Sequence, residues 1–262
     1  MDTGYHKHYH LDNPDSRDHH NRYFSPTSEK YFYEEIVKFP CETLHKMCVA
    51  GEIKGDTLID LSAYSAGLQL FPLCDVFSEI IVLKCDDSSI KEMNKWLNQD
   101  ADALDWMHLS QLTSELKGDR AKYKQEEETM RKKMKFILNC DFSKENLTDP
   151  VSLQKADCFI SAYILNPACE STDACHRLLR KMASMIKLGG TLLLIGLFNS
   201  TFFCLGEEKY RLLAFDEQFL RMAMDGAGLV IKQLEVIKSQ IRSCTVHFED
   251  LWVLRAVKEK EV

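Results

Sequence analysis

Short unbroken apolar stretches alternate with amphipathic ones along this chain, and that alternation constrains the fold more than any other feature. Residues 57–61, 79–83, 136–139 (running into Cys140-Asp141), 156–162 and 191–198 read as strands. Residues 88–97, 173–187 and 215–227 read as helices, the first capped by Ser88 or Ser89 and the second stopped by Gly189-Gly190. Continuous apolar strands are expected where both faces of a sheet are covered, so the pattern predicts an α/β fold with a doubly wound, mostly parallel sheet. Residues 229–237 and 248–257 follow one another without a helix and should pair antiparallel at the sheet edge. The total is a seven-stranded sheet with one antiparallel edge strand.

The 262 residues, 45% of them hydrophobic, suit one large domain, expected over residues 29–262. Residues 1–28 are polar and hold five of the nine histidines: His6, His8, His10, His19 and His20. They predict a solvated, partly flexible arm rather than a metal site. Phe32, Ile36, Phe39, Leu44 and Met47 fall at helical spacing, with Pro40 expected to kink or divide that helix. Residues 101–135 are helical but polar, with Glu127/Arg131 and Glu128/Lys132 spaced for pairing, and predict a solvated helical insertion. A net charge of −7 argues against nucleic-acid and anionic-membrane partners. No apolar run reaches the roughly 18 residues of a membrane span, and the polar start shows no secretory signal. None of the ten cysteines forms a C-x-x-C pair, and most sit in apolar segments. Buried free thiols, a cytoplasmic monomer and no metal are therefore expected.

In such sheets the ligand sits beyond the carboxyl ends of the strands. Here those ends are residues 62–67, 84–89, 141–142, 163–169 and 198–203. A nucleotide-like ligand needs a small-residue loop after the first strand, an acid after the second for ribose, and a polar group after the third for the base. The loop S-A-Y-S-A-G is small but is not G-x-G-x-x-G. By themselves the residues describe an α/β ligand-binding domain.

A string of motifs adds a resemblance: E-I-V-K-F at 35–39, K-G-D-T-L-I-D-L at 54–61, E-I-I-V-L at 79–83 with K-W-L at 95–97, and C-D at 140–141. A-D-C-F-I-S at 156–161, A-C at 168–169, L-G-G at 188–190 and G-E-E-K-Y at 206–210 continue it in order. From about residue 18 to its end the chain resembles the nicotinamide, indolethylamine and phenylethanolamine N-methyltransferase family. The resemblance implies a Rossmann-like class I methyltransferase fold with a helical N-terminal cap. It implies S-adenosylmethionine as methyl donor and a small amine or pyridine-type molecule as acceptor.

Carried over by position, the resemblance assigns the donor to Tyr23, Phe24, Asp60, Ser62, Ala63, Leu68, Asp86, Ser89, Asp141 and Phe142. Asp141 matches the acid for the adenine amino group. The acceptor falls to His19, Tyr163, Asn166, Pro167, Leu197, Ser200 and Phe203. No catalytic residue is singled out. The departures are as specific as the matches. Where the family reads D-I-G-S-G-P-T, this chain has Asp60-Leu61-Ser62-Ala63-Tyr64-Ser65-Ala66. Lys84 stands at the ribose-binding acid, Asn166-Pro167 at an acid and a small residue, and Gly196 at another acid. The resemblance implies an N-methyltransferase. The departures support the alternative, a weak or inactive relative that binds a ligand or a protein.

Overall fold

The computed structural model describes residues 15–63 and 70–261. The strands are β1 Thr57–Leu61, β2 Glu79–Lys84, β3 Met134–Asn139, β4 Ala156–Ala162, β5 Ile186–Phe198, β6 Phe202–Leu205, β7 Glu208–Arg211, β8 Leu229–Lys238, β9 Val246–His247 and β10 Asp250–Lys258. The helices are α1 Ser16–His19, α2 Phe39–Val49, α3 Leu70–Leu73, α4 Asp87–Asn98, α5 Met107–Leu116, α6 Tyr123–Lys133, α7 Leu165–Ala168, α8 Thr172–Ser184 and α9 Glu217–Gly226.

Seven strands form one sheet in the order β3-β2-β1-β4-β5-β10-β8. Strands β1, β2, β4 and β5 pair parallel, with Ile59 opposite both Ile81 and Phe159, and Ile160 opposite Leu193. Apart from Leu188 near the start of β5, their apolar side chains are buried on both faces, as unbroken apolar runs require. The antiparallel strand is β10, and it lies between β5 and β8 rather than at the edge. The chain passes through α9 and lays β8 one place away from β5; β10 then folds back into the gap. The hairpin pairing is written in the sequence, but which of the two strands lies outside is not. Side-chain caps start α4, α8 and α9: Asp86, rather than the expected Ser88 or Ser89, accepts from the Ser89 amide, Ser171 from Ala174 and Asp216 from Phe219.

Two further features depart from the sequence reading, while the expected division at Pro40 is seen as a change of helix type: a π-helical turn over Tyr33–Lys38 gives way to α2 just before this residue, which has no N–H to give a helical bond. Within the polar N-terminal stretch, residues 15–28 are folded: α1 and a π-helical turn over His20–Phe24 bury Ser16, His19, His20, Tyr23 and Phe24. His6, His8 and His10 lie outside the described residues. The helices of the 101–135 segment are charged outside, yet they bury Leu109, Leu112 and Met130. Beside them Trp96 stacks on Trp106 at 5.0 Å and the Arg131 guanidinium lies 4.2 Å above Trp96. A small second sheet, β7-β6-β9, stands beside the main one. Among the described residues no helix is long and apolar enough to cross a membrane.

Candidate functional site

The sheet order turns back between β1 and β4, and the candidate donor side is built there and along β2 and β3. At the end of β1 the Ala63 amide donates to the Ala162 carbonyl at 2.9 Å. The Ser62 hydroxyl accepts from the Ala162 amide at 3.1 Å and donates to the Asp60 carboxylate. At the end of β2 the Lys84 side chain turns inward. Its ammonium donates to the Ser62 carbonyl at 3.0 Å and lies 3.8 Å from Asp60 Oδ2. Exposure is 1% for Lys84 and 0% for Asp60, so this is an interior ion pair.

Asp86 accepts from both the Ser89 amide and the Ser89 hydroxyl at 2.7 Å, which commits it to starting α4. Ser16 Oγ approaches Ser89 Oγ at 3.4 Å, so α1 lies over that helix end. Asp141 accepts from the Ser143 amide at 2.8 Å and its hydroxyl at 2.7 Å. Those two bonds hold its carboxyl below the usual carboxylate range. The Phe142 ring is partly buried, and its carbonyl accepts from Lys181 at 3.0 Å. Tyr64 and Leu68 lie outside the described residues.

The acceptor-side residues gather around one cavity of about 60 Å³. His19, Tyr23, Phe24, Ala63, Tyr163, Asn166, Pro167, Leu197 and Phe203 line it. His19 lies 5.3 Å from Tyr23 and 5.0 Å from Phe24 between ring centroids. Burial, then the charges of His20 and Lys84, push the His19 imidazole well below its ordinary value, so it is neutral at pH 7. The polar tips of the wall are tied to backbone. The Tyr23 hydroxyl is 2.6 Å from the Cys204 carbonyl, 2.9 Å from that of Thr245, and accepts from the Cys204 amide at 3.1 Å. Tyr163, held at φ 58°, donates to the Ile36 carbonyl at 2.8 Å. The Asn166 amide nitrogen lies within 3.1 Å of the Leu197 carbonyl, Ser200 Oγ and the Leu213 carbonyl. Ser200 thus stands behind the wall and braces Asn166 instead of facing the cavity.

No carboxylate lines this cavity among the described residues. At Gly196 none has room, because a Cβ there would overlap the Trp252 indole. Ile36, Leu212, Val246 and Phe248 complete the wall and were missed from sequence. Gly206, at φ 57° between F-F-C-L and E-K-Y-R, is the hairpin signal that could have revealed the small sheet beside this wall. Elsewhere, Cys74, Asp75 and Glu126 lie together, but the Lys117 ammonium already sits 2.5 Å from Asp75 and 2.6 Å from Glu126.

Among the described residues the ribose side of the donor site departs from what an adenosyl group needs, whereas Asp141 still offers a carboxylate after the third strand. An ammonium replaces the ribose acceptor, Asp60 is paired internally, and Asp86 is spent on a helix cap.

Residues 4–259 match the model of the NNMT/PNMT/TEMT family. The chain is 31% identical to human nicotinamide N-methyltransferase over 242 residues, covering 92% of each protein. It is 32% identical over 218 residues to rabbit (Oryctolagus cuniculus) indolethylamine N-methyltransferase, covering 83% of each. Among solved structures it is similar to magnesium protoporphyrin IX methyltransferase from Synechocystis PCC 6803 with bound SAM. That match has a TM-score of 0.57 and 13% identity, covering 94% of this chain and 92% of that one. It is also similar to the N-methyltransferase NodS of Bradyrhizobium japonicum WM9 with S-adenosyl-L-homocysteine. There the TM-score is 0.56 at 10% identity, covering 95% and 100%. At such identities these two matches speak for the fold.

Proposed function

Because the chain belongs to the NNMT/PNMT/TEMT family, we propose that it is an S-adenosylmethionine-dependent N-methyltransferase for a small, uncharged amine or pyridine-type acceptor. The observation that carries the acceptor class is the cavity of aromatic and aliphatic side chains with no carboxylate among the described residues that line it. An unpaired ammonium would be costly to desolvate there, whereas a neutral ring loses little. His19, neutral at pH 7, supports the same choice because it adds no charge to the wall. The chain's own contribution is to position and dry the acceptor nitrogen, with Tyr23 and Tyr163 fixed by their hydrogen bonds to backbone.

A transfer assay with labelled S-adenosylmethionine at millimolar concentration tests this against pyridine-type bases, neutral aromatic amines and aliphatic amines. Label is expected in the first two classes. Transfer confined to aliphatic amines would contradict the acceptor class. The buried Lys84–Asp60 pair favours a second reading, a catalytically weak or inactive relative that keeps a ligand- or protein-binding role. A cytoplasmic monomer with one domain over residues 29–262 is part of the same proposal. Ten cysteines of which only Cys244 is exposed support it, and the core, which reaches from Tyr23 to Ala256, draws part of the stretch before residue 29 into the same domain.

A further inference from the structure

The crevice between the carboxyl ends of β1 and β4 is where a sheet of this order takes its ligand. Here, among the described residues, three side chains meet in it. The Ser62 hydroxyl spans the gap from the Asp60 carboxylate to the Ala162 amide. The Lys84 ammonium enters from β2, takes the Ser62 carbonyl at 3.0 Å and sits 3.8 Å from Asp60. A lysine has only donors, and a buried ammonium persists only among acceptors and an opposite charge. This pairing therefore fixes the long side chain inside the crevice.

We infer that Lys84 is a tethered cation occupying the donor crevice in place of a ligand, so that an adenosyl donor enters only by displacing it. The inference rests on the donor named under the proposed function. Vicinal ribose hydroxyls call for an acceptor at the end of the second strand, and they meet N–H donors instead. The cationic donor also meets a like charge. Its product, S-adenosylhomocysteine, lacks the sulfonium and so isolates the ribose part of the conflict.

The test is calorimetric titration of the full chain with S-adenosylhomocysteine, as wild type, Lys84→Gln and Lys84→Asp. The wild type is expected to bind more weakly than about 100 µM. Lys84→Gln keeps an amide donor for the Ser62 carbonyl without the charge, and should bind about threefold tighter or more. Lys84→Asp supplies a charge-assisted acceptor and should gain about tenfold or more. Tighter binding by the wild type, or unchanged affinity in folded variants, overturns the inference.

Should the variants not fold, amine acetylation of the wild type with mass-spectrometric readout decides. Lys84 should be protected without ligand and become reactive at saturating S-adenosylhomocysteine. Protection at saturation overturns the inference. The two proposals fail separately. A Lys84 variant that binds the product tightly yet methylates no base sinks the N-methyltransferase reading and leaves Lys84 in place. A wild type that binds tightly does the reverse.

Discussion

At the scale of single residues, burial sets the protonation of the N-terminal histidines. His20 is pushed down to about 4, chiefly by burial and then by the neighbouring His108, while Asp105 pulls the other way and Arg17 adds to the lowering. In the unfolded chain it titrates near 6.5. The folded value is the lower one, so its stabilising contribution is complete above pH 6.5 and is lost as the pH falls toward 4. Urea unfolding at pH 7, 6 and 5 should show stability falling with acid. His20→Leu should remove up to about 1.4 kcal/mol per pH unit of that slope. An unchanged slope would mean that His20 is not the group. Lys84 and Gly196 were visible in sequence as departures from the resemblance. What they do was not, because it depends on which way a strand-end side chain turns and on which ring lies behind. Lys84 turns in to Asp60, and Trp252 leaves no room beside Gly196.

At the scale of elements, the wall of the cavity depends on contacts between distant segments. The Tyr23 hydroxyl ties the turn after α1 to the backbone of Cys204 in β6 and of Thr245 just before β9. Tyr23→Phe should cost about 1–2 kcal/mol, since buried backbone partners lose their bond. Hydrogen exchange should then quicken in residues 16–24 and 202–205 together. Quickening in only one of the two segments would show that they are not coupled through this hydroxyl. The central strands were legible because an unbroken apolar run such as 156–162 has one good home, the middle of a covered sheet. The small sheet escaped because its strands are only two to four residues long, too short for a period to show.

At the scale of the whole molecule, one core joins the N-terminal segment to the sheet. Six of the ten cysteines are buried, three are intermediate and Cys244 alone is exposed. Burial raises Cys41 and Cys48 to about 12, which further slows their reaction. Native protein should therefore give one fast thiol with a disulfide reagent, abolished by Cys244→Ser, and the remainder only on denaturation. Several fast thiols would contradict the packing described. The covered sheet and the family were legible across the chain, whereas the state of the donor crevice depends on the three-body contact of Asp60, Ser62 and Lys84. The most direct measurement is steady-state methyl transfer to a neutral pyridine base, comparing wild type with Lys84→Gln. The KM for S-adenosylmethionine is expected to fall about threefold or more while the KM for the base stays constant. An unchanged donor KM alongside brisk wild-type turnover would contradict the account.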